Sequence, residues 1–415
     1  MPIAVLRHLA YRRLFAAQVV ALVGTGLLTV ALGLLAYGIA GSDAGAVLGT
    51  ALAIKMVAYV AVAPVITALT HRVARKTLLM SADAIRAAIA LLLPFVDQTW
   101  QIYVLIFLLQ AASATFTPTF QSVLPAILTD VADYTRGLSL SRLAYDLEAL
   151  VSPALAAVLL TVISYHLLFL GTAAGFVASA VLVLGTRLPH LTPTAATATV
   201  RQRITGGVAI MSASPVLRSL LAMNLVVAAA TGLVVVDTVV YVHGLLGGAS
   251  TDVAAALACY GAGSMAVALV LPRVLNTVTD RTVMLTGCVV VPAGLVATTA
   301  LLGAGPSPAI GWPLLAVSWA VLGAGCSLIT TPSARLLRAE SNSATSNSVF
   351  TAQFATSHAC FLLTYPIAGW VGATVGQVTA AATLTALATM AAVAAARAWP
   401  SRAPQNRELV FTGRG

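Results

Sequence analysis

The sequence predicts an all-α membrane protein with about twelve transmembrane helices arranged as two pseudo-symmetric six-helix bundles. Three observations predict it. The chain is 60% hydrophobic and 8% charged, whereas a water-soluble globular chain carries about 25% charged residues, so lipid must solvate much of its surface. Apolar runs of about 20 residues, long enough to cross the hydrocarbon core, recur from end to end. Lys and Arg are confined to alternate connections between those runs, as membrane insertion demands.

Taken in order, the spans are expected at 14–40, 46–70, 77–96, 101–125, 137–162, 167–188, 214–242, 251–275, 282–303, 311–334, 346–370 and 375–397. Most connections are short, so consecutive helices must be antiparallel neighbours. The N-terminal stretch MPIAVLRHLAYRRLF reads as a lead-in to the first span rather than a removable signal, because no small-residue cleavage site follows a short apolar core. The longest polar gap, 189–213, is rich in Pro, Thr and Ala and then carries Arg201 and Arg203. It reads as a linker, with room for a short interfacial helix. The expected organisation is therefore a first bundle over 1–188, a cytoplasmic linker over 189–213, a second bundle over 214–397 and a cytoplasmic tail over 398–415.

The loop charges set an orientation. Arg7, Arg12, Arg13, Arg72, Arg75, Lys76, Arg136, Arg201, Arg203, Arg335 and Arg338 fall at one face; Asp43, Asp97, His166 and His243 fall at the other, with no Lys or Arg. Positive loops stay inside, so both termini are expected in the cytoplasm of a bacterial cell, with the chain in the inner membrane. The net charge of +10 does not indicate nucleic acid, since the cations stand singly in short loops with little aromatic interleaving. The four cysteines, Cys259, Cys288, Cys326 and Cys360, each sit within an apolar run and read as small packing residues.

An internal duplication underlies the two bundles. Arg75-Lys76-Thr77-Leu78-Leu79-Met80 opens the third span and Asp280-Arg281-Thr282-Val283-Met284-Leu285 the ninth. Thr117-Pro118 and Ser152-Pro153 in the fourth and fifth spans are echoed by Thr331-Pro332 and Tyr365-Pro366 in the tenth and eleventh. Parallel repeats about an axis along the membrane normal are a recurrent transporter design, with the substrate held at the midplane between them.

In these respects the chain resembles the major facilitator superfamily. The signature of that family lies between the second and third spans, and Arg72, Arg75, Lys76, Asp83 and Arg86 match it here. The family's Gly is replaced by Thr67 and its Asp by His71. The resemblance implies that these residues set the conformational equilibrium, with His71 a weaker or pH-sensitive latch. A second run, Glu148 to Ala157, is similar to the fifth-span signature of drug-exporting branches, with Ser152, Ala156 and Ala157 keeping the small size that lets helices approach. The FTPTFQSVLP stretch resembles bacterial exporters of macrolides, siderophores and nickel. The resemblance thus implies a major-facilitator-type fold and secondary transport by a monomer in the bilayer, with protons and a small molecule or ion as partners.

Charges at bilayer depth are costly and functional by default. Lys55 in the second span and Asp146 and Glu148 in the fifth reach ~13–17 Å into the membrane at 1.5 Å per residue. Lys55 is expected to pair with one of the two carboxylates, which would carry the coupling proton; a static pair fixing helix packing is the alternative. Arg142, one turn before Asp146, competes for it. Asn224, Asp237, Gln353 and His358 are candidate cavity residues. Asp237 is placed in the outer vestibule, or else at the interface touching water. His358 is read as a hydrogen-bonded buried His or as a metal ligand. No phosphate-binding GxxxxGK[ST] loop occurs, and no clustered His and carboxylates suggest an embedded enzyme. No cofactor and no resident metal are expected. Export of a small organic compound by proton antiport leads; efflux of a divalent metal such as nickel is the alternative.

Overall fold

The computed structural model describes residues 2–62, 73–188, 200–341 and 345–400. Among these it is helical throughout its regular structure: α1 Leu9–Ala40, α2 Ala44–Val57, α3 Arg75–Leu92, α4 Thr99–Ile127, α5 Val131–Leu160, α6 Tyr165–Leu184, α7 Val200–Ala213, α8 Pro215–Val240, α9 Ser250–Val274, α10 Asp280–Ala304, α11 Pro308–Ala339, α12 Ser346–Pro366 and α13 Gln377–Ala398. Twelve of these thirteen helices correspond to the expected spans, and α7 falls within the linker gap. The boundaries follow local chemistry. Asp130 caps α5 by accepting the Asp133 amide, and Ser214 caps α8 ahead of Pro215. Gly305 ends α10 at φ 54°, in the left-handed region that a side chain resists.

Helices α1–α6 pack among themselves, as do α8–α13. In the first bundle α1 and α6 approach so closely that the Thr172 hydroxyl donates to the Gly24 carbonyl at 2.9 Å. In the second, α8 is the central helix, and Ser219 ties it to the Ala395 carbonyl of α13 at 2.9 Å. Such hydroxyl and small-residue contacts replace the hydrophobic force that lipid removes. Leu91, Leu92, Val158, Val177, Val181, Leu269, Val289, Val296 and Val317 face outward instead, an apolar belt suited to acyl chains.

Not every span is equally apolar. Nine stretches among the described residues are long and apolar enough to cross a membrane, and α12 is not one of them. α5 includes the apolar stretch Val151–Leu160. The first part of α5 carries Arg142, Asp146 and Glu148, and α12 carries Gln353 and His358. These polar spans are the ones that lie against the opposite bundle, α5 on α9 and α12 on α2. Helices shielded from lipid need not be hydrophobic all round.

Among the described residues, three single turns of π-helix interrupt or extend the spans, Ala58–Val62 after α2, Tyr241–Leu245 after α8 and Ile367–Val371 after α12. Such turns are rare and concentrate at functional positions. Each lies where the bundles meet.

At the arginine-bearing face, Pro2–Arg7 forms a 3₁₀ turn that is pinned to α5. Arg7 and His8 approach Asp133 Oδ2 at 3.0 and 3.1 Å, and Arg136 donates to Asp133 Oδ1 at 2.9 Å. Hydrogen bonding from His8 first, then from Arg136 and Arg7, holds this carboxyl down at about 2. Its contribution is therefore complete above the ordinary carboxylate value of about 3.9 and disappears as pH falls through about 2. Asp133→Asn should release the N-terminal turn near neutral pH, seen as faster amide hydrogen exchange over residues 5–13 with the helical bundle unchanged.

Candidate functional site

Two intramembrane charges, Lys55 and Glu148, stand on helices that pack against the opposite bundle. Lys55 stands in the last turn of α2, ~16 Å along the helix from Ala44, with a partly accessible side chain. Two groups share its electrostatic field, Glu148 of α5 in its own bundle and His358 of α12 in the other. Among the described residues Lys55 makes no contact ion pair, so charge rather than a clasped salt bridge links it to Glu148. Arg142 and Asp146 lie on α5, but their side chains are outside the described residues, and His71 and Arg72 are outside them altogether.

Glu148 is seated by a glycine. A Cβ placed on Gly26 of α1 would lie 2.7 Å from Glu148 Oε1 and would overlap Ser152. The α1–α5 crossing is therefore only as wide as a backbone, and the carboxylate occupies the slot that a missing side chain leaves. Gly26→Val should push Ser152 and Glu148 aside. It should cost more in transport than in yield, measured as transport per folded molecule after size-exclusion chromatography.

His358 is oriented by its own helix. Nδ1–H donates to the Phe354 carbonyl at 2.7 Å, which leaves Nε2 as the acceptor of the neutral ring. Its ring centroid lies 4.0 Å from that of Phe354 and 5.7 Å from that of Tyr59 in the π-turn after α2. Tyr59 also meets Phe354 edge-on at 6.4 Å. Lys55, Tyr59, Phe354 and His358 thus form one cationic and aromatic patch shared by both bundles. Sequence reasoning missed Tyr59, although it stands four residues after Lys55 and so shares its helix face.

The remaining candidates fall elsewhere. Asn224 of α8 and Gln353 of α12 exchange amide hydrogen bonds of 3.1 and 2.7 Å and satisfy each other. Asp237 is fully buried toward the other end of α8. In the family-signature region, Lys76 donates to the Leu184 and Thr186 carbonyls at 2.6 and 3.1 Å, which caps the C-terminus of α6 with a cation. Arg75 opens α3 with a partly buried side chain. Asp83 and Arg86 pair within α3, both buried. Ser179 of α6 donates to Asp83 at 2.7 Å. The Arg86 guanidinium lies 4.5 and 4.4 Å from the ring centroids of Phe116 and Phe176. This knot ties α3, α4 and α6 together inside the first bundle. No three His, Cys, Asp or Glu residues converge among the described residues.

The fold, two helical bundles packed against each other, has counterparts of known structure. The nucleoside transporter NupG superposes with a TM-score of 0.67 at 15% identity, covering 94% of this chain and 98% of that one. The peptide transporter PepTSo gives 0.72 at 12% identity over 94% and 97%. A D-xylose-proton symporter gives 0.71 at 11% over 95% and 98%. At such identities the likeness shows the fold alone. No curated protein matches the sequence itself. The sequence profile described as Major Facilitator Superfamily matches residues 14–291. The chain belongs to the Major Facilitator Superfamily of membrane transporters.

Proposed function

We propose that this transporter is a proton-coupled exporter of a small organic compound, acting by alternating access in a bacterial inner membrane with its arginine-bearing face in the cytoplasm. One observation carries the reading: the Glu148 carboxylate lies at membrane depth within the field of Lys55, at the junction of the bundles. A carboxylate there can exist in two forms. Ionised, it is supported by the cation; protonated, it escapes the penalty of burial. Rocking of the bundles changes the access of water to this pair and its distance from the opposite bundle, and so changes which form is favoured. A proton is then taken up in one state and released in the other. The aromatic faces of Tyr59, Phe354 and His358 beside this pair suit an organic substrate.

The test is a strain lacking the gene, complemented with wild-type or Glu148→Gln protein and challenged with organic antimicrobials and with nickel and cobalt salts. Organic-compound resistance that depends on Glu148 is expected. Sensitivity to metals alone would overturn the reading in favour of divalent-metal efflux, with His358 as the first ligand to examine.

A further inference from the structure

A second carboxyl lies where the bundles close against each other at the face opposite the arginines. There the start of α2 runs along the end of α12. A Cβ on Gly49 would lie 2.5 Å from the Tyr365 carbonyl and 3.2 Å from Gly369 Cα, and one on Gly369 would strike the Gly45 carbonyl. Trp370 Nε1–H crosses the seam to Thr50 Oγ1 at 2.8 Å, and Tyr37 of α1 stacks on His243 with centroids 4.6 Å apart. Only glycine lets the backbones come this close, and no space is left for water between them.

Asp237 of α8 is sealed beneath this seam. Its Oδ1 lies 3.0 Å from the position of a Cβ on Gly45, its exposure is 0%, and neither carboxyl oxygen has a hydrogen-bond partner among the described residues. The Tyr241 hydroxyl, one turn on, is also buried and has no hydrogen-bond partner among the described residues. The other titratable groups on the elements packed around this end of α8 are His243 of its own π-turn, Tyr37, Asp43, Asp252 and Tyr365; among the described residues no Lys or Arg stands there. A naked carboxylate in such a place would cost several kcal/mol. A neutral carboxylic acid would not.

We propose that Asp237 is a second proton-binding site, which locks the outer seam shut when protonated and drives it apart when ionised. Burial without a cation makes the closed seam compatible only with the neutral acid. Opening the seam admits water, which solvates the anion. The sign follows directly: the closed state binds the extra proton, so its advantage holds at low pH and is lost as pH rises. In an exporter driven by inward proton flow, protonation from outside would close the outer gate and start the return to the inward-facing state. That last step rests on the function proposed above; the lock itself does not.

The test reads conformation without substrate or gradient. Spin labels at Ser42→Cys and Thr374→Cys, both exposed and on opposite sides of the seam, are introduced after replacement of the four native cysteines. Their separation is measured by pulsed electron resonance at roughly pH 5 and pH 8. The closed-to-open ratio of the parent should fall at least about tenfold over this range, the change expected of one proton whose affinity differs tenfold or more between states. Asp237→Asn, a neutral mimic, should stay closed at both values. Retention of the full pH response in Asp237→Asn would overturn the proposal. So would loss of that response in Glu148→Gln alone, which would place the switch at the central pair. If the Asn variant fails to fold, infrared spectra of the parent decide. A protonated-carboxyl band that remains in Glu148→Gln and disappears as the labels move apart is expected; absence of that band at low pH overturns the lock.

Discussion

Glu148→Gln should abolish transport driven by a proton gradient while sparing exchange of substrate down its own gradient. Gln keeps the size and the polar end of Glu, so the slot opposite Gly26 stays filled. It cannot ionise, so the bundles can rock without a proton entering or leaving. A residue that only fixes packing would lose both activities together, or neither. Lys55→Met removes the cation that supports the ionised form, and it should lower net transport as well, with the carboxyl left protonated through the cycle. Parallel assays of net flux and of counterflow separate these outcomes.

Asp83→Asn should be the most damaging single change to the fold. Asp83 and Arg86 are both buried, and Asp83 is also held by Ser179. Removing the carboxylate takes from the Arg86 guanidinium, stacked between two phenylalanine rings, its ion-pair partner within α3. Breaking a buried pair from one side costs about 3–5 kcal/mol, a large part of the 5–15 kcal/mol that holds a typical folded protein. A markedly lower melting temperature in detergent and poor recovery of folded protein are the expected signs. The double variant Asp83→Leu with Arg86→Met removes both charges and should recover much of the loss, a coupling that a double-mutant cycle measures. Additive losses would show that the two side chains act independently.

The helices were legible because apolar length and loop charge are strong signals. Even so, α5 begins at Val131 rather than 137, and α11 runs Pro308–Ala339 rather than 311–334, since a helix continues beyond the hydrocarbon until a cap or a glycine stops it. The π-turns carry no apolar signature and could not be read. Lys55, Glu148 and His358 stood out as polar residues in apolar runs, but which of them share a field depends on how the bundles dock, information that no local pattern holds. The position of Asp237 near a span end predicts contact with water, in an outer vestibule or at the interface. It is instead sealed by glycines of α2 and the turn after α12, residues distant in sequence. Asp83 and Arg86 were recognised through a family signature, while their partners Phe116, Phe176 and Ser179 looked like ordinary span residues.

The central claim, that Glu148 binds and releases the coupling proton beside Lys55, is tested most directly by infrared titration of the purified protein in lipid. The account predicts a carboxyl band that titrates, is missing in Glu148→Gln and titrates at a different pH in Lys55→Met. A wild-type spectrum whose titrating carboxyl bands all persist in Glu148→Gln would contradict it.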